Sequence, residues 1–270
     1  MKKLLVLDLM MVVASAAVFA ATLDSQWKGK KVAILGDSIS DPHVCASNYY
    51  VYLEKDLGIV PCVYAVNGHQ WKAIKGQAEK LKAEHGEDVD AILIFVGTND
   101  YSANTPLGQW WTYTMEESGW WGSKELAPRR NFVMSPDTFR GRINIALSYL
   151  KENFPDAQIV LMTPIHRGYA NFHYGNNIQS EETFGNARGL HIEDYVNVVK
   201  EASGVWSVPV IDLYAEGGLF PIKDAYAKYF KSATDDRLHP NALGHWRLAE
   251  VIKYRLLAMP AGFRKSRGSF

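Results

Sequence analysis

The chain has 270 residues, 47% of them hydrophobic and 21% charged, and its 29 basic residues balance its 29 acidic ones. That is ordinary globular material, long enough for one large α/β domain or two small ones. The zero formal charge offers no basic excess that would call for a nucleic-acid partner and no acidic block of the kind that forms a solvating tail.

Residues 1–20 read as an export signal. Lys2 and Lys3 form a positive head, Leu4 to Phe19 is mostly apolar yet short for a bilayer span, and Val18-Phe19-Ala20 presents small residues where a signal peptidase cuts. No cysteine follows the apolar run, so neither a lipid anchor nor a stable membrane anchor is expected. Cleavage after Ala20 leaves 27 basic and 28 acidic residues in a secreted or periplasmic protein of net charge −1. Cys45 and Cys62 are the only cysteines. In an exported protein they can form a disulfide, or they can serve as two small buried hydrophobes.

Beyond a polar lead-in, Val32 to Leu35 is an apolar run of strand length, broken by the turn residues Gly36 and Asp37. Ser38 stands just past that turn. Asn48 to Leu57 reads as a helix with Tyr49, Tyr50, Leu53 and Leu57 on one face, stopped by Gly58. Val60 to Val66 reads as a second strand ending at Asn67-Gly68, and Trp71 to His85 as a second helix. Ala91 to Val96 is apolar at every position, which suits a parallel strand covered on both faces. It runs into Gly97-Thr98-Asn99-Asp100.

Residues 101–135 break the rhythm. They hold Trp110, Trp111, Trp120 and Trp121, and they read as an insertion on the loop after strand three. Ser135-Pro136 opens a helix with Phe139, Ile143, Ala146, Leu147 and Leu150 on its apolar face. A fourth strand, Gln158 to Met162, leads into a long polar loop over 165–189. A helix from His191 to Ala202, a fifth strand from Val208 to Leu213, a partly helical stretch over 220–231, a loop at 235–241 and a last helix from Leu243 to Leu257 complete the pattern. A basic tail follows from Arg264. Five alternations of strand and helix, without repeat or linker, predict a single three-layer α/β/α domain on a parallel sheet of about five strands, spanning 21–270.

In such a sheet, ligands bind outside the carboxyl ends of the strands, where Ser38, Gly68 and Asn99 all fall. A serine hydroxyl becomes a nucleophile once a base takes its proton, and the base needs a group to hold its tautomer. Asp236 and His239, three apart in a turn before a helix, have the spacing for that pair. Asp235 is the competing orienter. An amide at Asn99 and a glycine N–H at Gly68 can bind a developing oxyanion.

Gly36-Asp37-Ser38-Ile39-Ser40, Val66-Asn67-Gly68, Gly97-Thr98-Asn99-Asp100 and Asp236-Arg237-Leu238-His239-Pro240, in that order, resemble the four conserved blocks of the SGNH (GDSL) hydrolases. The resemblance covers roughly residues 31–257 and implies a flavodoxin-like α/β/α fold. It also implies Ser38 as nucleophile, His239 as general base and acid, and Asp236 as its orienter. The N–H groups of Ser38 and Gly68 and the amide of Asn99 would form the oxyanion hole. The Gly-x-Ser-x-Gly elbow of lipase-type α/β-hydrolases is absent, because Ser40 takes the place of its second glycine.

Of the remaining polar residues, Asp37 and Asp100 read as turn-stabilising acceptors and His245 as structural. His166 and Arg167, following strand four at the functional edge, are candidate substrate contacts. His69, His166 and His173 form no pattern that binds zinc, so no metal and no cofactor is expected. The aromatic insertion is expected to border the cleft and stack on sugar rings. Together these residues imply a secreted serine esterase acting on short acyl esters, with acetyl on a carbohydrate as the leading substrate. Three alternatives remain open: a lipid or lysophospholipid esterase, a non-catalytic glycan-binding member of the fold, and an acyltransferase.

Overall fold

A computed structural model describes residues 25–119, 122, 124–173 and 177–264. The export-signal reading of residues 1–20, Trp120 and Trp121 of the insertion, and nearly all of the basic tail lie outside the described residues.

Five parallel strands form the central sheet: β1 (Lys31–Gly36), β2 (Val60–Val63), β3 (Ala91–Phe95), β6 (Gln158–Met162) and β9 (Val210–Ile211), in the order β2-β1-β3-β6-β9. The strands are apolar on both faces because helices cover both. Ala33, Leu35, Ile92, Ile94, Ile159 and Leu161 face α2 (Trp71–His85), α4 (Phe139–Asn153) and α5 (Ile192–Trp206). The alternate residues Val32, Ile34, Leu93, Phe95, Val160 and Met162 face α1 (Tyr49–Leu57) and α6 (Ala242–Leu257). Side chains alternate across a strand, so one short run feeds two cores. The sheet is the expected one, and its strand order is the flavodoxin-like pattern.

Element boundaries follow local hydrogen bonding. The Asn48 side chain accepts from Tyr49 N–H to start α1, and Gly58 ends the helix in a left-handed conformation at φ +70°. Helix α4 begins at Phe139 rather than at Ser135-Pro136, because the Thr138 hydroxyl supplies the cap to Gly141 N–H. Strand β2 stops at Val63, short of the expected Val66, and the chain then turns into the loop that carries Gly68. After β3 the chain enters the one-turn helix α3 (Thr98–Ser102), which holds Asn99.

Two regions differ more. The polar loop over 165–189 contains β7 (Ala170–Asn171) and β8 (Ile178–Gln179), and the segment expected as a loop at 235–241 is largely β11 (Asp236–Pro240). With β10 (Phe230–Ser232) they make a second sheet, antiparallel throughout, in the order β10-β11-β7-β8. Asp236 is paired with Ala170 of β7. The residues making this sheet are too few and too polar to announce strands by periodicity.

The insertion forms a hairpin of β4 (Trp111–Glu117) and β5 (Leu126–Phe132). One face carries Thr112, Thr114, Glu116, Arg129 and Asn131, with an Arg129–Glu116 ion pair. The other carries Trp111, Tyr113, Met115, Leu126 and Phe132. Its root is tied to the body of the domain. Phe132 stacks on Trp206 at 4.2 Å between ring centroids, and Trp110 Nε1 donates to Glu201 of α5. The buried Asn144 of α4 donates to the carbonyls of Trp110 and Val133 while its oxygen accepts from Trp206 Nε1. These anchors hold the hairpin against α4 and α5.

Replacing Asn144 with Leu leaves the Val133 carbonyl and the Trp206 indole N–H without this partner, while the Trp110 carbonyl keeps only Val133 N–H. The expected cost is about 1–3 kcal/mol in urea unfolding, with faster proteolytic cleavage inside 111–132 than in the wild type.

Candidate active site

Strand β1 ends at Gly36, where a Cβ would lie 2.5 Å from the carbonyl oxygen of Phe95, so only glycine fits between the neighbouring strand and the turn. The chain then turns tightly. Asp37 Oδ1 accepts from Ile39 N–H at 3.0 Å, and Ser40 N–H donates to Asp37 O. The turn presents the Ser38 hydroxyl 2.9 Å from Nε2 of His239. On the far side of the ring, His239 Nδ1 lies 2.9 Å from Asp236 Oδ2 and 3.2 Å from Oδ1. Asp236 also accepts from the main-chain N–H groups of Leu238 and His239. With Asp236 accepting a hydrogen bond from Nδ1–H, Nε2 is left to accept from the serine hydroxyl. Burial pulls the Asp236 carboxyl upward, but the hydrogen bond and charge of His239 outweigh it, and its pKa lies below the usual range. Asp235, the competing orienter, instead accepts from Thr234 and Ser232 and does not reach His239.

Two further elements converge on Ser38. Gly68 adopts φ +77°, a conformation glycine takes without strain, at the tip of the loop after β2. Asn67 N–H donates to Asp41 Oδ2, and His69 N–H to Val66 O. Neither of these bonds uses Gly68 N–H, and among the described residues neither it nor Ser38 N–H donates to a protein acceptor. Asn99 spends one side-chain proton on His69 O at 2.9 Å, which leaves the other available. Ser38, Gly68, Asn99, Asp236 and His239 all line one cavity of about 490 Å³.

The rest of the cavity wall is mainly polar: Asn67, Asn177, Gln179, Lys231 and His43, with Val44, Phe172 and Leu238 as its apolar members. Reading the sequence missed these residues one by one. For Phe172, Asn177 and Gln179 the signal was positional, since the stretch over 165–189 follows a strand at the functional edge.

His166 and Arg167 do not line this cavity. His166 is bonded through Nδ1 to Glu182 at 2.6 Å and stacked on Tyr214 at 3.7 Å. Arg167 is 2% exposed and donates to Thr98, Ser102 and Gln179, so it braces the wall from below without facing a ligand. The aromatic insertion also stands apart: none of the described residues between 101 and 135 lines the cavity, because the hairpin is anchored to α4 and α5. His245 is buried beside Tyr49, and burial pushes its pKa down to about 3. Both cysteines are free thiols. Among the described residues no group of three His, Cys, Asp or Glu could hold a metal ion, and no helix is long and apolar enough to cross a membrane.

Two buried carboxyls underlie the site. Burial raises Asp37 to about 7, offset in part by Ile39 N–H. Burial raises Asp100 to about 6, offset by Trp71 N–H and by Arg142, whose guanidinium lies 2.8 Å away. Asp37 stabilises the turn as expected, whereas the Asp100 carboxyl, expected to do the same, instead joins α2, α3 and α4.

Among known proteins, the model of the GDSL-like lipase/acylhydrolase family matches residues 34–247. Comparison with curated protein sequences gives no match. Solved structures with the same fold include a Lactobacillus plantarum protein at 24% identity and TM-score 0.65, covering 86% of this chain and 98% of that one. A possible lipase from Chitinophaga pinensis aligns at 18% identity and TM-score 0.60, covering 84% and 98%. A catalytic mutant of an acetylxylan esterase from Geobacillus stearothermophilus aligns at 19% and 0.53, covering 91% and 100%.

Asp37 has a consequence for stability. Unfolded, it ionises near 3.8; folded, it holds its proton until about pH 7. Between those values the native state binds more protons, so this group's contribution to stability is complete below pH 4 and is lost as pH rises toward 7. Asp37→Asn is expected to match the wild type near pH 4 and to exceed it at pH 8 by on the order of 1 kcal/mol or more, read by denaturant unfolding across pH.

Proposed function

The chain belongs to the GDSL-like lipase/acylhydrolase family and is a carboxylic ester hydrolase; from that premise we propose that it is a secreted serine esterase that removes short acyl groups, acetyl first among them, from carbohydrates. The observation that carries the reading is the continuous relay from Ser38 through His239 to Asp236, ending beside three uncommitted N–H donors in one cavity.

In this reading the Ser38 oxygen attacks the ester carbonyl carbon and its proton passes to His239 Nε2. The carbonyl π pair moves onto oxygen, where the N–H groups of Ser38 and Gly68 and the Asn99 amide hold the charge. Collapse of the intermediate expels the alcohol, which takes the proton from His239. A water molecule then gives a proton to His239 and attacks the acyl-serine, and the acid leaves as Ser38 recovers its proton. Asp236 stabilises the imidazolium at each stage.

The substrate class is supported by the cavity wall. Amide side chains at Asn67, Asn177 and Gln179, with the Lys231 ammonium, suit a hydroxyl-rich alcohol, whereas three apolar residues give a long acyl chain little surface to bury. The fold likeness to an acetylxylan esterase agrees with this choice. The aromatic insertion no longer contributes to it. Export rests on residues 1–20, and protein secreted by its host should begin at Ala21, read by N-terminal sequencing.

On nitrophenyl esters of increasing chain length, hydrolysis is expected to fall beyond the shortest acyl groups. Ser38→Ala should lower kcat by at least ~10³-fold, and Asn99→Ala by about 10²–10³-fold with KM little changed. Turnover that survives Ser38→Ala would overturn the serine mechanism, and a preference for long chains would overturn the acetyl assignment.

A further inference from the structure

Gln77 is a buried side chain outside the catalytic relay whose amide oxygen and nitrogen are both engaged. It lies on α2, 3% exposed, and lines no part of the catalytic cavity. Its Oε1 accepts from Gly36 N–H at 2.9 Å, while its Nε2 donates to Gly36 O and to His69 Nδ1, each at 2.8 Å. Both amide protons and the oxygen are therefore committed. The orientation is dictated by the main chain, because Gly36 N–H can only donate and so requires the oxygen. His69 Nδ1 must then be the unprotonated ring nitrogen. Burial, followed by the nearby Lys80, holds His69 below its usual pKa, which keeps the ring neutral.

The place of these contacts matters. Residue-by-residue pairing of β1 with β2 ends at Ile34 opposite Val63, two residues before Gly36. Past that point Val66 N–H still donates to Gly36 O at 3.2 Å, and the Gln77 amide adds a second donor to that oxygen and the acceptor for Gly36 N–H, at the residue from which the Ser38 turn departs. Its second arm reaches His69, which follows Gly68 and whose carbonyl orients Asn99 at 2.9 Å. Gly68 has no side chain and nothing near its Cβ direction, so its placement depends on its neighbours. On one side Asn67 N–H is held by Asp41; on the other His69 is held by Gln77.

We propose that Gln77 is a positioning residue for the oxyanion hole, acting on Ser38 through Gly36 and on Gly68 and Asn99 through His69. The inference rests on the assignment of those three as oxyanion donors. Such donors act only within about 2.7–3.1 Å of the developing charge, so small displacements of the two loops reduce transition-state binding more than substrate binding.

Two variants test it. Gln77→Glu keeps the length and the acceptor for Gly36 N–H but cannot donate. His69→Ala keeps the clamp on Gly36 and cuts only the arm to the Gly68 loop, so it decides the matter if the first variant fails to fold. With p-nitrophenyl acetate, and after thermal unfolding shows a folded protein, kcat is expected to fall roughly 10–100-fold for Gln77→Glu and about 3–10-fold for His69→Ala, with KM within about 2-fold. Added to Asn99→Ala, each should cost less than it does alone. Folded variants with unchanged kcat, or losses that multiply fully with Asn99→Ala, overturn the positioning role while Ser38-dependent activity of the wild type stands. A wild type without Ser38-dependent hydrolysis overturns both this inference and the function it rests on.

Discussion

The 2.9 Å contact between the Ser38 hydroxyl and His239 Nε2 joins residues 201 positions apart, and much of the architecture exists to make it possible. Ser38 is delivered by the carboxyl end of a buried central strand and has little freedom. His239 comes from outside the main sheet, on β11, and would be a loop residue if β11 were alone. Pairing with β7 and β10 makes it part of a sheet. The long segment after β6 thus has a structural duty: it supplies the strand that holds Asp236 and, through Asp236, the imidazole. Closing so long a loop costs entropy that grows only slowly with length, and the two cores flanking the parallel sheet more than offset it.

Around that contact the protein buries several ionisable groups. Asp37, Asp100, Arg167 and His245 are almost without exposure. Two of them link segments that carry the site. Asp100 joins the starts of α2 and α3 to Arg142 of α4. Arg167 joins the turn of α3 to Gln179 in the cavity wall. Buried polar links between segments trade stability for a unique arrangement, and an esterase needs its donors held in place before the charge develops.

Some of this was legible in the residues alone. Val32–Leu35, Ala91–Val96 and Ile159–Met162 announce buried strands by being apolar throughout, and the turn residues after the strands place Ser38, Gly68 and Asn99 at one edge. The spacing of Asp236 and His239 survives even though they lie on a strand rather than in a turn, because three residues still bring the carboxylate back to its ring. What could not be read was which surface a segment would meet. The alternation of Trp111, Tyr113 and Met115 is a strand signal, yet the hairpin's direction is set by Asn144 and Trp206, distant in the chain. His166 and Arg167 sit at the correct edge, but Glu182, Tyr214 and Thr98 claim them first.

The sequence by itself determined the sheet, its order of alternation with helices, and the chemical identity of the reacting groups, since apolar runs, turn residues and functional side chains are local properties. Only the tertiary structure decided which polar residues line the cavity, where the aromatic hairpin rests, and that Gln77 ties Gly36 to His69. Those are contacts between residues far apart in the chain. Their energy depends on burial and on hydrogen-bond geometry, which a one-dimensional pattern does not contain.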